Sequence, residues 1–362
     1  MANPASATMA APMPTRQHFP ALDGLRGVAA VAVVVFHFME MVVSDYSRLF
    51  IGHGWLAVDF FFCLSGFVIG YAYDERIGAM GLVSFFKTRL VRLHPMVVFG
   101  SLLGLVALYA DPFRAQPFAD DITHVVVMLV ASLFLIPYPT MRERGFCLFS
   151  LNSPAWSLFW EYVANIVYAL VLCRLSRRAL AIATVGAALI LCAVGYREGN
   201  LWAGFNGETF WVGAARVNFS FLAGLLVYRY GLILRTKFGF TVPAILLVLA
   251  LVMPYATGGW IREAAVMIIG FPVLVMLGAG ATLNARAKRF CKWAGDISYP
   301  LYMTHYAFIY PFGNYYERNH PDGMQLTLVV VGGVIALVAF AHLVMKCYDM
   351  PVRAWLARAG RN

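Results

Sequence analysis

Charge is what this chain has least of. Only 13% of its 362 residues are charged, against about 25% in a soluble domain. Hydrophobic residues make up 61%, more than a soluble globule of this length can hide. That balance excludes a nucleic-acid binder, a disordered chain and an ordinary cytosolic enzyme, even though Lys and Arg exceed Asp and Glu and leave a net charge of +10. In so apolar a chain, excess basic charge belongs to cytoplasmic loops held against an anionic leaflet. Cysteine is sparse as well. The six cysteines are scattered, with no metal-type spacing and no disulfide framework. There is no low-complexity tract, no convincing internal repeat, and no connection long enough for a separate soluble domain. A cleaved leader is not expected, because Asp23 and Arg26 interrupt the first apolar run.

What the sequence does have is apolar runs of membrane-crossing size. They fall at 24–43, 55–73, 96–110, 122–137, 154–173, 179–195, 209–228, 241–256, 263–281, 296–311 and 326–346. Basic clusters set the orientation. The tail from Arg353, the Arg286–Lys292 stretch, Arg229 to Lys237, Arg174 to Arg178, and Arg76 to Arg92 all read as cytoplasmic. The two directions of counting collide between 96 and 153, where two short runs lie and an odd number of crossings is needed. One of 96–110 and 122–137 therefore falls short. The expectation is an all-α polytopic membrane protein of about ten transmembrane helices plus one re-entrant or interfacial segment, with both termini cytoplasmic. Residues 1–20 read as a flexible tail, 21–347 as the membrane domain and 348–362 as a short basic tail.

Ionisable groups inside such segments cost about 2.5–3.5 kcal/mol on insertion scales, so they are retained in pairs or along water-filled cavities. Arg26 and His37 are eleven residues apart, which brings them back to one helical face about 16 Å apart along the axis. Asp23 and Glu40 lie close to that stripe. Asp59, near the outer end of the second run, sits at about the depth of His37 and is a candidate to orient the imidazole. Its alternative is simply to cap the helix start. Arg89 and Arg92, three apart, are neighbours on a helix. They suit phosphate oxygens, or serve as ordinary positive-inside anchors. Trp156, Ser157, Glu161 and Asn165 open a later span with a polar stripe, and Arg216 is a candidate ion-pair partner for Glu161. Ser298, Tyr302 and His305 share one face of a late helix, next to Tyr299.

Together these residues resemble the acyltransferase 3 family of integral-membrane acyltransferases. Arg26 and His37 match its Arg, ten residues, His. Gly54 to Gly66 resembles its Gly…Val-Asp-Phe-Phe…Ser-Gly segment, and Arg89, Arg92 and Pro95 match its paired arginines before a proline. Trp156-Ser157-Leu158 with Glu161 matches its Trp-Ser-Leu motif, and Ser298-Tyr299, Tyr302 and His305 match its late block. The chain departs from the family at Tyr162, where a second acidic residue is common.

The resemblance implies O-acylation, with acyl-CoA, acetyl-CoA by default, as cytoplasmic co-substrate. The acceptor would be a hydroxyl of an extracytoplasmic carbohydrate or lipid-linked glycan, reached from a bacterial cytoplasmic membrane. His37 is then the general base, with Asp59 or Glu161 in support. Arg26, Arg89 and Arg92 hold the CoA phosphates. Glu40, Trp156, Ser157, Arg216, Ser298, Tyr299, Tyr302 and His305 have supporting or substrate-facing roles. No metal, permanently bound cofactor or nucleic-acid partner is expected, and membrane lipid is the surroundings. Some family members carry an appended extracellular domain for which this chain has no room, so acyl hand-off is expected to finish in the membrane domain or on another protein. The competing reading is a transporter of a glycan precursor or small anion, with the buried charges forming its path. Against it, the sequence has no matched pair of broken helices.

Overall fold

A backbone surrounded by hydrocarbon must satisfy its own N–H and C=O groups, and a chain with this few polar side chains does so with helices. The computed structural model describes residues 18–114 and 121–359. The expected N-terminal tail lies almost wholly outside the described residues, as do 360–362. Among the described residues there are helices and isolated bridges only, with no β-strand. The helices are α1 (Pro20–Val42), α2 (Ala57–Tyr73), α3 (Ile77–Tyr109), α4 (Ile122–Leu133), α5 (Ala155–Leu170), α6 (Arg177–Glu198) and α7 (Phe210–Arg229). They continue with α8 (Thr241–Leu251), α9 (Trp260–Ala265), α10 (Phe271–Gly280), α11 (Ala285–Thr304), α12 (Tyr306–Asn319), α13 (Gly323–Val344) and α14 (Met350–Ala359). A π turn over Val266–Gly270 joins α9 to α10, and another over Met345–Asp349 joins α13 to α14.

Among the described residues eight stretches are long and apolar enough to cross a membrane: α1, α2 with its leading turn, α3, α5, α6, α7, α9–α10 and α13–α14. Their outward faces are apolar. Ile182, Leu189 and Ile335 are all more than 60% exposed, as side chains facing lipid would be. The sequence count of ten requires two further crossings, and the remaining candidates are less regular than expected. The run at 241–256 forms only the 11 residues of α8, about 17 Å of helix. The run at 296–311 is split at His305 between α11 and α12.

Of 96–110 and 122–137, the first forms the more regular helix. It belongs to α3, which kinks at Gly81 (φ 76°) and beyond the kink also carries Lys87, Arg89 and Arg92. The second forms only the 12-residue α4, about 18 Å long, short of the about 20 residues of a spanning helix, as α8 also is. Beyond the expected end of the membrane domain, the last helical stretch runs on to Ala359.

Helices α2 and α7 run side by side in the same direction. A Cβ on Gly224 would lie 1.7 Å from the Cys63 carbonyl oxygen, so only glycine permits this approach. Two Asp–Arg forks tie the pair at both ends. Arg216 grips Asp59 through Nε and Nη2 at 3.1 and 2.6 Å, and Arg229 grips Asp74 at 2.6 and 3.1 Å.

The connection after α4 folds back into the bundle. Phe149 and Leu151 are buried, Leu148 N donates to Phe205 O at 2.9 Å, and Asn152 Nδ2 donates to Met303 O at 3.1 Å. This buried loop delivers Pro154 and Trp156 to the interior.

Candidate active site

Helix α1 lines two cavities. The first, about 240 Å³, is walled by Arg26, Ser65, Arg89, Arg92, Glu161, Ser298, Tyr299 and the apolar Phe61, Phe62 and Leu158. Arg26 is held by α11, where its Nη2 donates to Gly295 O at 3.0 Å and to Ser298 Oγ at 3.1 Å. Its Nη1 lies 3.3 Å from Asp23. Arg89 donates to Glu161 Oε1 at 3.0 Å, and the same oxygen accepts Ser65 Oγ at 2.6 Å. The Arg89 Nε is buried without a partner. Arg92, half-buried, makes no hydrogen bond or ion pair among the described residues. Tyr299 donates to Leu93 O at 2.5 Å, which fixes α3 against α11. The three guanidinium groups thus face one space, and one of them is uncompensated.

The second cavity, about 350 Å³, lies further along α1 and is lined by His37, Glu40, Trp55, Trp156, Trp202, Arg216, Tyr306 and Tyr310 among others. His37 Nδ1 lies 2.5 Å from Glu40 Oε1. Tyr306 donates to the same oxygen at 3.1 Å and Tyr46 donates to Oε2 at 3.2 Å. Burial, and then the charge of Glu40, push the Tyr46 phenol above its ordinary range, so it stays a donor. With Nδ1 engaged, the His37 Nε2 has no partner among the described residues. The ring stacks on His305, with centroids 5.3 Å apart and planes at 25°. His305 is wholly buried, its Nδ1 set 3.1 Å from Leu301 O and its Nε2 unpartnered. The cavity also exposes Cys147, whose thiol is raised by burial and is therefore protonated and a poor nucleophile.

Among the described residues only Val58 and Tyr302 line both cavities. Tyr302 is buried, with its hydroxyl 2.7 Å from Ser157 Oγ. In turn, Ser157 donates to Pro154 O at 2.9 Å.

Three expected contacts are corrected by this geometry. Neither Asp59 nor Glu161 orients His37. Asp59 is fully buried in its fork with Arg216, and Glu161 belongs to the first cavity. The Glu161–Arg216 pair does not form, because the close α2–α7 crossing puts Arg216 beside Asp59 instead. Arg216 is further enclosed by the rings of Trp55 and Trp156, at 5.0 and 5.2 Å, and donates to Ala203 O at 2.5 Å.

The partner of His37 is Glu40, three residues on, a helical i,i+3 spacing that was readable in the sequence. Tyr46 and Tyr306 were not singled out, since nothing local marks a tyrosine as a carboxylate donor. A buried pair outside both cavities was missed too. His53 Nε2 lies 3.3 Å from Glu263 Oε1, and Leu201 N donates to Oε2 at 2.6 Å. Among the described residues no three His, Cys, Asp or Glu side chains converge as a metal site.

A helical bundle with lipid-facing apolar surfaces, holding a guanidinium cavity and a histidine–carboxylate cavity that meet at one point, defines a multi-pass membrane protein with an internal site. Residues 19–345 match the acyltransferase 3 profile, described as an acyltransferase domain, and the chain belongs to that family. Similar proteins include "Protein 2 in picA locus" of Rhizobium radiobacter, 37% identical over 164 residues, which cover 42% of this chain and 82% of that one. The O-acetyltransferase OatA of Staphylococcus aureus is 22% identical over 93% of this chain, which spans 57% of the relative's length. The acyltransferase MdmB of Streptomyces mycarofaciens is 27% identical over 44% of this chain and 40% of its own. No solved structure matches the chain.

Proposed function

We propose that the protein is a membrane-embedded O-acyltransferase. It moves an acyl group, acetyl by default, from cytoplasmic acyl-CoA to a hydroxyl of an extracytoplasmic carbohydrate or lipid-linked glycan. One observation carries the reading: a cationic cavity and a His37–Glu40 cavity occupy successive stretches of α1 and have Val58 and Tyr302 in common. Family membership and the acetyltransferase relative support it.

In this reading the CoA phosphates sit against Arg92 and the neighbouring Arg26 and Arg89, and the thioester lies at the junction. The free Nε2 of His37 takes the proton from an acceptor hydroxyl as its oxygen bonds to the thioester carbonyl carbon. The C–S bond then breaks, and the thiolate leaves with the proton that His37 returns. Glu40 fixes the tautomer through Nδ1 and offsets the imidazolium charge. The aromatic walls of the second cavity, Trp156, Trp202 and Tyr306, suit an acceptor sugar ring.

Both termini are cytoplasmic in this arrangement. Ten crossings result if α8 and the α11–α12 pair are added to the eight long stretches; α4 is no shorter than α8, and keeping the basic clusters at Arg174–Arg178 and Arg229–Lys237 on the cytoplasmic side makes α8 the one that crosses. A bacterial cytoplasmic membrane is the setting, and it gives the geometry its purpose, since charged CoA stays inside while the acceptor stays outside.

The test is consumption of acetyl-CoA by the purified chain in detergent, read as free CoA thiol, with an extract of membrane lipids and glycans as acceptor. The wild type releases thiol, while His37→Ala does not and still binds acetyl-CoA. A wild-type protein that leaves the thioester untouched would favour a transporter.

A further inference from the structure

We infer that Val58 sets the length of the acyl group this protein transfers. The inference rests on the acyltransferase reading above and concerns the junction between the two cavities.

Among the described residues, Val58 and Tyr302 line both the guanidinium cavity and the His37 cavity, so a donor whose phosphates lie among Arg26, Arg89 and Arg92 meets these two side chains where its thioester approaches His37. Tyr302 is fixed. Its hydroxyl is bonded to Ser157 at 2.7 Å, and its ring meets Phe61 edge-on at 5.8 Å. Val58 supplies the apolar side of the neck and has no polar group to move or protonate. A β-branched side chain in a helix keeps essentially one χ1 rotamer. The backbone beneath it cannot yield either, because the next residue, Asp59, is clamped by the Arg216 fork. Every carbon of the acyl chain beyond the carbonyl therefore has to fit beside two immobile methyl groups. A fixed valine–tyrosine neck of this kind admits a short unbranched acyl group and resists longer ones. The Val58 side chain makes no hydrogen bond and touches no proton in transit, so it selects without taking part in the chemistry.

The experiment compares acetyl-, propionyl- and butyryl-CoA as donors for the full chain in detergent, reading free CoA thiol with the same extract as acceptor. One methylene in an apolar pocket changes kcat/KM by about 10–200-fold. Val58→Ala therefore raises the butyryl-to-acetyl ratio about tenfold or more. Val58→Ile lowers the propionyl-to-acetyl ratio by a similar factor, and Val58→Thr, which keeps the shape, leaves both ratios in place. Thermal unfolding in detergent serves as the folding control for each variant, and only folded variants are scored. Active Ala and Ile variants with unchanged ratios overturn the inference. So does loss of acetyl transfer in all three variants, because a residue that only measures length is dispensable for the reaction. A wild type that consumes no thioester at all overturns the acyltransferase reading itself, an outcome distinct from both.

Discussion

Replacing Glu40 with Gln removes one charge and little else. The carboxylate receives His37 Nδ1 and Tyr306 on one oxygen and Tyr46 on the other. An amide with its oxygen toward His37 keeps the first two bonds and turns its NH₂ to the Tyr46 oxygen. The tautomer and ring orientation of His37 survive, but the negative charge that offsets an imidazolium does not. A hydrogen bond to a charged group is worth about 1.5–3 kcal/mol and a neutral one about 1 kcal/mol. The loss is therefore about 0.5–2 kcal/mol of transition-state stabilisation, or roughly 2–30-fold in kcat. The KM for acetyl-CoA should not move, because the guanidinium groups lie in the other cavity. Glu40→Ala goes further: it frees the ring and strands two phenols, and kcat falls about 10³-fold, within the range for losing a positioned base. Thiol release from purified protein measures both variants, and thermal unfolding in detergent checks that each is folded. Glu40→Gln running at the wild-type kcat would refute the coupling of carboxylate to imidazole. A raised KM with unchanged kcat would place Glu40 on the donor instead.

Other expectations follow from the same contacts. Arg92→Gln raises the KM for acetyl-CoA about tenfold with kcat little changed, because among the described residues Arg92 is the cation of the first cavity without a protein partner; Arg89→Gln, whose guanidinium is already engaged by Glu161, raises it less. Asp59→Asn leaves a buried Arg216 uncompensated and costs about 3–5 kcal/mol, seen as a lowered unfolding temperature and poor recovery of monodisperse protein, while Asp59→Leu combined with Arg216→Met recovers part of the loss. Gly224→Ala forces α2 and α7 apart at the Cys63 carbonyl and costs about 1–3 kcal/mol, again read by thermal unfolding.

The sequence was most legible where the bilayer imposes its own rules. Apolar runs announced the helices, and the charge deficit excluded a soluble fold. The stripe from Arg26 to His37 identified α1 as the helix that lines the interior. Less legible was anything depending on which helix lies beside which. Asp59 and Glu161 are both acidic and both sit in spans, and no periodicity says that one faces Arg216 and the other Arg89. That choice is made by Gly66 and Gly224, which let α2 and α7 touch along their length. The length of α8 was misread for a related reason. The apolar run at 241–256 continues through Met253 and Pro254, but the helix stops at Leu251, and Met253 O lies 2.9 Å from His53 Nδ1. Glu40 is a different case. The i,i+3 spacing was in view, yet a partner was sought on other helices, where charges in membranes usually find one.

Pairing also separates the buried charges into two kinds. Asp59 with Arg216, Asp74 with Arg229, and His53 with Glu263 are closed: each charge meets its counter-charge in the bundle. Removing one member costs stability, and none of these pairs leaves a group free for a substrate. Three cationic or basic groups with spare capacity line the cavities instead. Among the described residues Arg92 has no partner, Arg89 keeps an unbonded Nε, and His37 keeps an open Nε2. All three face the two cavities that meet at Val58 and Tyr302. Leaving polar groups unsatisfied in an apolar bundle is costly, and folding alone gives no reason to bear that cost at these positions. A ligand that is anionic at one end and electrophilic at the other supplies the missing partners for both cavities at once, and an acyl-CoA has that shape. If Arg92→Gln stabilises the free protein against heat while raising the KM, the cost is being borne for the donor; if it destabilises the protein and leaves KM alone, Arg92 belongs with the closed pairs and the distinction fails.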